Sequence, residues 1–143
     1  MFSEALNKRK ELHSEIGSSF IEIFEEAVIR VTESVQNGGT LFFAGNGGSA
    51  AIASHVSVDL TKNAETRCVN YNEADLITCF SNDFGYERWV EKAIEFYGDE
   101  GDSLILISAG GNSPNMTNGA KQARKKEIKN IITFTGNDKN LSL

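Results

Sequence analysis

The chain has 143 residues, 40% of them hydrophobic, and a formal net charge of −6. This length predicts one domain with a sizeable core, and the acidic balance argues against nucleic acid as a direct partner. The charged N-terminus is unlike a signal peptide and no apolar run reaches membrane length, so we expect a cytoplasmic protein that does not contact a membrane.

Apolar residues recur at three- and four-residue steps over residues 2–35, which is typical of an amphipathic helix. Gly17 is the point at which this long first helix would bend or break. Its outer apolar face needs a partner, and a second copy of the chain is the simplest one. The sequence therefore predicts a helical oligomerisation segment over residues 1–39, with packing onto its own domain as the alternative.

Residues 40–62 carry the clearest local pattern. An apolar strand at 41–44 runs into a glycine-rich turn at 45–48, and small and apolar residues that suit a helix follow, with Ser49 placed to cap the first turn. Glycine lets a ligand approach the backbone, and the free N–H groups of a first helical turn point at it. We interpret the stretch as a phosphate cradle; a strand–helix turn without a ligand is the alternative.

A second strand, turn and helix follow later in the chain. The strand is predicted at 103–107, the turn at 108–113, and Pro114 suits the first helical position after a Ser113 cap in a helix that runs to about Lys125. Two such turns at the carboxyl ends of parallel strands can face one ligand.

The remaining segments are predicted from periodicity and turn residues. We expect a short strand at 67–71, a helix from Asn72 or Glu73 to Phe80, a turn at 81–85, an amphipathic helix at 86–97 and a last strand at 131–135. Cys68 and Cys79 lack a metal or redox spacing, and their apolar surroundings predict buried, reduced thiols.

His55 and Asp59 are four residues apart in the predicted helix and therefore share a face. This spacing suits two ligands of one divalent metal, or a base and the group that orients it. An ordinary hydrogen bond on the helix surface is the alternative.

Three linked motifs resemble the sugar isomerase (SIS) domain family and, within it, the sedoheptulose 7-phosphate isomerases. They are residues 45–50 (GNGGSA) with His55 behind them, residues 81–86 (SNDFGY) and residues 107–115 (ISAGGNSPN). Their order and spacing agree with the family over essentially the whole chain.

The resemblance implies a flavodoxin-like α/β fold with three layers, a parallel five-stranded sheet and a long N-terminal helix. It also implies a homotetramer assembled through the N-terminal helices. The implied activity is aldose–ketose isomerisation of a seven-carbon sugar phosphate through a cis-enediol, with one zinc ion per site and no organic cofactor.

The same resemblance implies a set of site residues. Asp59 and His55 fall on catalytic and metal positions. The turn at 108–113 would hold the phosphate, and the other positions would line the sugar. The implied substrate-binding residues are Asn46, Gly47, Gly48, Ser49, Asn82, Asp83, Ser108, Ala109, Gly110, Asn112 and Ser113.

The sequence departs from the family in three places. Asp59 stands where the family has glutamate, which shortens the side chain by one bond, roughly 1.5 Å. Ala109 and Gly110 stand where the family has threonine and serine. The family also continues through a strand and a helix that carries a glutamine and a histidine, so residues 40–143 are expected to be an SIS domain truncated at its C-terminus, either a fragment or a shortened homologue.

These departures keep two other functions open. One is a non-catalytic sugar-phosphate-binding regulator, in which the cradle reports metabolite level through the shape of the oligomer. The other is an oligomeric protein that binds the bacterial replication initiator, as one branch of the family does.

Overall fold

The structure is a computed structural model that describes Glu4, Asn7, Lys10, Glu11 and residues 17–136. The chain divides into two compact units, with the boundary between Arg30 and Val31. The helices and strands are α1 (Ser18–Gln36), β1 (Leu41–Gly45), α2 (Gly48–Asn63), β2 (Cys68–Asn70), α3 (Ala74–Phe84), a 3₁₀ turn (Tyr86–Arg88), α4 (Trp89–Tyr97), β3 (Ser103–Ser108), α5 (Pro114–Lys125) and β4 (Asn130–Thr135).

The four strands form one parallel sheet in the order β2-β1-β3-β4. β1 and β3 occupy the centre and read as continuous apolar runs, because helices cover both faces of a parallel sheet. Their register places Leu41 opposite Ser103 and Gly45 opposite Ile107. The two central strands therefore end side by side, which sets the position of the turns that follow them.

Alternating residues of the central strands supply two hydrophobic clusters. Phe42 and Leu104 belong to the cluster that contains Trp89 and Ile94 of α4 and Met116 of α5. The other cluster consists of Leu41, Phe43 and Ile105, which pack with Ala53 of α2. The sheet is thus the middle of three layers, as expected for an α/β fold.

The prediction of a parallel α/β sheet is confirmed, but the implied strand number is wrong: the described residues form four strands, not five. The single long N-terminal helix is not confirmed either. Glu4, Asn7, Lys10 and Glu11 are helical, residues 12–16 lie outside the described part, and Gly17 is not helical. The Phe20 amide donates to the Gly17 carbonyl (3.1 Å), as at a helix start.

Two local predictions need correction. Ser49 does not cap α2, because the helix begins at Gly48 with Gly47 in the cap position. The turn expected at 81–85 begins later, since α3 continues through Phe84 and ends where Gly85 takes a φ of 92°. Asn82 and Asp83 favour turns, but here they lie in the last helical turn, and the positive φ of Gly85 ends the helix.

The cysteines differ from the expectation of two buried thiols. Both are free, but Cys79 is exposed on α3 and Cys68 is half-buried on β2. Partial burial raises the pKa of the Cys68 thiol, and hydrogen bonds from Thr66 and Thr61 act in the opposite direction. The apolar neighbours of Cys79 in sequence do not surround it in space, because a helix spreads them over several faces.

In the part of the chain that the structure describes, no helix is long and apolar enough to cross a membrane.

Candidate functional site

The first turn depends on glycine at two positions. A Cβ on Gly45 would lie 2.6 Å from the backbone C and O of Ser49, so only glycine lets α2 begin this close to the end of β1. Gly47 has φ 54° and ψ −119°, a conformation that favours glycine. The N-terminus of α2 is thereby held beside the strand end, and its first N–H groups lack partners within the helix.

The second turn leaves β3 at Ser108. The Gly111 amide donates to the Ser108 carbonyl (3.0 Å), and the Gly136 amide donates to the Ala109 carbonyl (3.0 Å). Ser113 is the cap residue of α5 and Pro114 its first helical residue, as predicted. The Ser113 hydroxyl does not bond to the helix, however; it lies 3.2 Å from the Ser108 hydroxyl.

The two turns border one small cavity of about 190 Å³. Its lining combines the two turns with one apolar strand residue: Asn46, Ser49, Ile107, Ser108, Ala109, Gly110 and Ser113. The two turns meet because the parallel register sets Gly45 opposite Ile107. The structure therefore brings together six of the substrate-binding residues implied by the resemblance, and their binding role stays a prediction.

Asn46 belongs to an amide network that sequence reasoning missed. Its Nδ2 donates to Asn115 Oδ1 (3.0 Å) and its Oδ1 accepts from Asn115 Nδ2 (2.8 Å). The Tyr86 hydroxyl also donates to Asn46 Oδ1 (3.1 Å). Both partners fall inside the quoted motifs, where Tyr86 follows Gly85 and Asn115 follows Pro114, but no local pattern shows that they meet.

The other implied substrate residues lie outside the cavity lining. Asn82 and Asp83 are exposed in the last turn of α3, where Asn82 Nδ2 donates to Asp83 Oδ1 (2.9 Å). Gly47, Gly48 and Asn112 are also exposed. A ligand that fills the cavity would have to extend outward to meet them.

His55 and Asp59 contact each other but not the cavity. His55 Nε2 lies 3.3 Å from Asp59 Oδ2, and the His55 side chain is 80% exposed. His55 follows Ser49 by six residues, which turns it about a third of a turn around α2 from the cavity lining. Ile52 and Val58 are exposed too and flank the pair on the same face.

A larger groove of about 900 Å³ lies along β2 and α3 and contains none of the implied site residues. Aromatic rings occupy part of it: Tyr71 and Tyr97 stack with centroids 4.8 Å apart. Burial, and secondarily Tyr97 and Asp102, raise the pKa of Tyr71. The groove lacks a glycine turn at a helix start, so the small cavity is the better candidate for an anion.

No cluster of three or more histidine, cysteine, aspartate or glutamate side chains suited to a metal ion occurs within the described ranges. His55 and Asp59 together offer two possible metal ligands, an imidazole nitrogen and a carboxylate, and both side chains are exposed.

A profile described as "SIS domain" matches residues 6–136. The phosphoheptose isomerase of Glaesserella parasuis serovar 5 is 37% identical over 123 residues, covering 82% of this chain and 64% of that protein. The phosphoheptose isomerase of Proteus mirabilis is 38% identical, with the same coverage. The chain thus spans under two thirds of the length of these relatives.

Solved structures give the same fold. Phosphoheptose isomerase GmhA from Neisseria gonorrhoeae superposes with a TM-score of 0.83 at 29% identity, over 96% of this chain and 72% of that one. A phosphoheptose isomerase from Francisella tularensis superposes at 0.72, over 95% of this chain and 78% of that one; at 24% identity this likeness concerns the fold alone.

We expect Gly45→Ala to lower the free energy of unfolding by about 1–3 kcal/mol, because the new methyl group overlaps the Ser49 backbone. Urea denaturation measures the change. Gly48→Ala is the matched control, since a Cβ there meets nothing within 4 Å, and should stay within about 0.5 kcal/mol of the wild type. Equal losses in both variants would contradict the close-approach argument.

Proposed function

This chain belongs to the SIS domain family, and we propose that it is part of a phosphoheptose isomerase, which interconverts sedoheptulose 7-phosphate and a heptose 7-phosphate. The main support is the cavity in which two glycine-containing turns meet. The relatives named phosphoheptose isomerase favour this function over a non-catalytic regulator or a replication-initiator-binding protein.

The phosphate is proposed to lie against the turn at 108–113. Ser108 and Ser113 offer hydroxyls 3.2 Å apart, and backbone N–H groups of the 108–113 turn are proposed as further donors. The start of α5 adds little, because Pro114 has no N–H and the Met116 and Thr117 amides donate to the Ser113 carbonyl (3.0 and 3.1 Å). Ala109 and Gly110 contribute no side-chain donor, so the backbone carries more of the binding here than in the family. Such local donors suit a chain with net charge −6, which has no excess of basic groups to attract an anion.

The sugar is proposed to extend from the first turn toward the end of α3. Asn46 and Ser49 lie in the cavity lining, while Gly47 and Gly48 are exposed next to them. Asn82, Asp83 and Asn112 are assigned to the outer part of the ligand because they are exposed beyond the lining. Binding the phosphate far from the reacting carbons orients the carbonyl for reaction.

Asp59 and His55 are proposed to move the proton. Isomerisation through a cis-enediol shifts one proton from a carbon to its neighbour and a second proton between their two oxygens. A base must remove the carbon-bound proton and return it, and a second group must stabilise the oxygens and pass the other proton between them. The 3.3 Å contact lets the imidazole hold the carboxylate in place. Both side chains are exposed, so we expect the pair to act only when the family's C-terminal helix, or another surface, covers it.

His55 and Asp59 could supply two of the four ligands of a zinc ion. The 3.3 Å between His55 Nε2 and Asp59 Oδ2 is close to the roughly 3.3–3.6 Å edge of a tetrahedral zinc site. No third histidine, cysteine, aspartate or glutamate among the described residues completes a metal site with them. A bound zinc ion would polarise the substrate oxygens.

A turnover assay tests the activity. We expect the natural full-length product, supplied with zinc and sedoheptulose 7-phosphate, to form a heptose 7-phosphate. Asp59→Asn, which keeps the shape but removes the base, should lower kcat by about a hundredfold or more. Absence of product with and without zinc would contradict the isomerase proposal, and phosphate binding without turnover would favour the regulator.

Ser113→Ala should weaken binding of inorganic phosphate by roughly 1–2 kcal/mol, because it removes one hydrogen bond to a charged group. Isothermal titration calorimetry measures the dissociation constant. Thr61→Ala is the control: it also removes a hydroxyl, but from the far end of α2, where that hydroxyl donates to the Ser57 carbonyl (2.8 Å). Unchanged affinity in Ser113→Ala would exclude the second turn as the phosphate site.

Assembly and location are part of the same proposal. Within α1, large apolar side chains are exposed at Phe20, Ile21, Ile23, Phe24, Val28 and Ile29. We propose that residues 1–39 use such positions to form a homotetramer, that residues 40–143 are the SIS domain, and that the protein is cytoplasmic.

Light scattering after gel filtration should give four times the mass of one chain. Ile23 is 68% exposed in the single chain and would be buried in the proposed interface. Because burying a charge there is costly, Ile23→Asp should weaken assembly and lower the measured mass. Glu25→Gln, on an exposed position of the same helix, should leave it unchanged. A wild-type monomer would contradict the proposed assembly.

A further inference from the structure

Three separate elements converge on the Asn46 side chain. Asn46 follows β1, Tyr86 opens the 3₁₀ turn after α3, and Asn115 lies in the first turn of α5. Their side chains join through the reciprocal amide pair and the Tyr86 hydroxyl, with all three distances between 2.8 and 3.1 Å. Asn46 is the member that lines the cavity.

The hydrogen-bond capacity of Asn46 determines what it can offer a ligand. An amide oxygen has two lone pairs, and an amide nitrogen has two hydrogens. Both lone pairs of Asn46 Oδ1 are used, one by Asn115 and one by Tyr86. One Nδ2 hydrogen is used by Asn115 Oδ1, which leaves a single N–H.

We infer that Tyr86 and Asn115 are positioning residues that fix Asn46 as a hydrogen-bond donor to a ligand oxygen. This inference rests on the proposed function, and it assigns the recognised group to the carbohydrate part of the sugar phosphate: a carbonyl or hydroxyl oxygen. The phosphate belongs to the Ser108–Ser113 turn.

Asn115 is the fixed end of the network. It is 2% exposed and lies beside Met116, which is completely buried in the core. A buried polar side chain is stable only when its hydrogen bonds are made, so turning the Asn115 amide away would be costly. Rotation of Asn46 would break the pair as well, and the orientation of its remaining N–H is therefore set by the core.

Tyr86 is the member that can be changed without disturbing the core. Its side chain is largely exposed, and Tyr86→Phe removes only the hydroxyl that fills the second lone pair of Asn46. An unoccupied lone pair lets the amide offer an acceptor instead of presenting only a donor. Tyr97→Phe is the matched control, since Tyr97 is similarly exposed and lines the other groove.

The test measures dissociation constants of the whole chain for sedoheptulose 7-phosphate and, separately, for inorganic phosphate. Tyr86→Phe should weaken sugar-phosphate binding about fivefold, the equivalent of one neutral hydrogen bond, and should leave inorganic phosphate within about twofold. Tyr97→Phe should match the wild type with both probes. A purely structural role of Tyr86 would weaken both probes together and would overturn the inference.

A double-mutant cycle separates positioning from direct contact. In an Asn46→Ala background, Tyr86→Phe should cause no further loss, because the group that Tyr86 orients has been removed. A persistent loss would show that Tyr86 binds the sugar itself and would overturn the inference while leaving the proposed function intact. Wild-type chain that binds neither probe would overturn the proposed function and this inference with it.

Discussion

The parallel pairing of β1 with β3 is the constraint on which the candidate site depends. Because Gly45 lies opposite Ile107, two chain segments more than sixty residues apart leave the sheet at the same level. Both then enter helices, so residues of the two strand–helix turns line one cavity. Both strands contribute residues to both hydrophobic clusters, so the core fixes where the strands end and where the turns begin.

The cavity and the proposed catalytic pair have different requirements. The donors proposed to bind an anion lie in the two turns, whose positions follow from the strand register and the glycine conformations. His55 and Asp59 are positioned by α2 and by their mutual contact, on a face that includes exposed Ile52 and Val58. The His55 side chain is 80% exposed and the Asp59 side chain 51%, and catalysis gains from such groups mainly when water is excluded. The proposed phosphate-binding residues are therefore already held together within this chain, whereas the proposed catalytic pair would need a covering surface to exclude water.

Local patterns predicted the features that depend on local physics. The apolar run at Leu41–Ala44, the glycine turn after it and Pro114 at a helix start were all correct, because burial, positive φ and a fixed φ at proline act within a few residues. Errors arose where tertiary contacts decide. Ser113 faces Ser108 instead of its own helix, and Cys79 is exposed although apolar residues surround it in sequence. The Asn46–Asn115 pair joins residues 69 positions apart, and no periodicity reports such a contact.

The polar groups that line the cavity have one more consequence. Asn46, Ser49, Ser108 and Ser113 supply amides and hydroxyls, and among the described lining residues no side chain titrates in the range in which proteins are normally studied. A phosphate ester, by contrast, loses its second proton near pH 6. If a phosphate ester binds in this cavity, the pH dependence of binding should therefore follow the ionisation of the ester. The same fixed dipoles would bind the dianion more tightly than the monoanion.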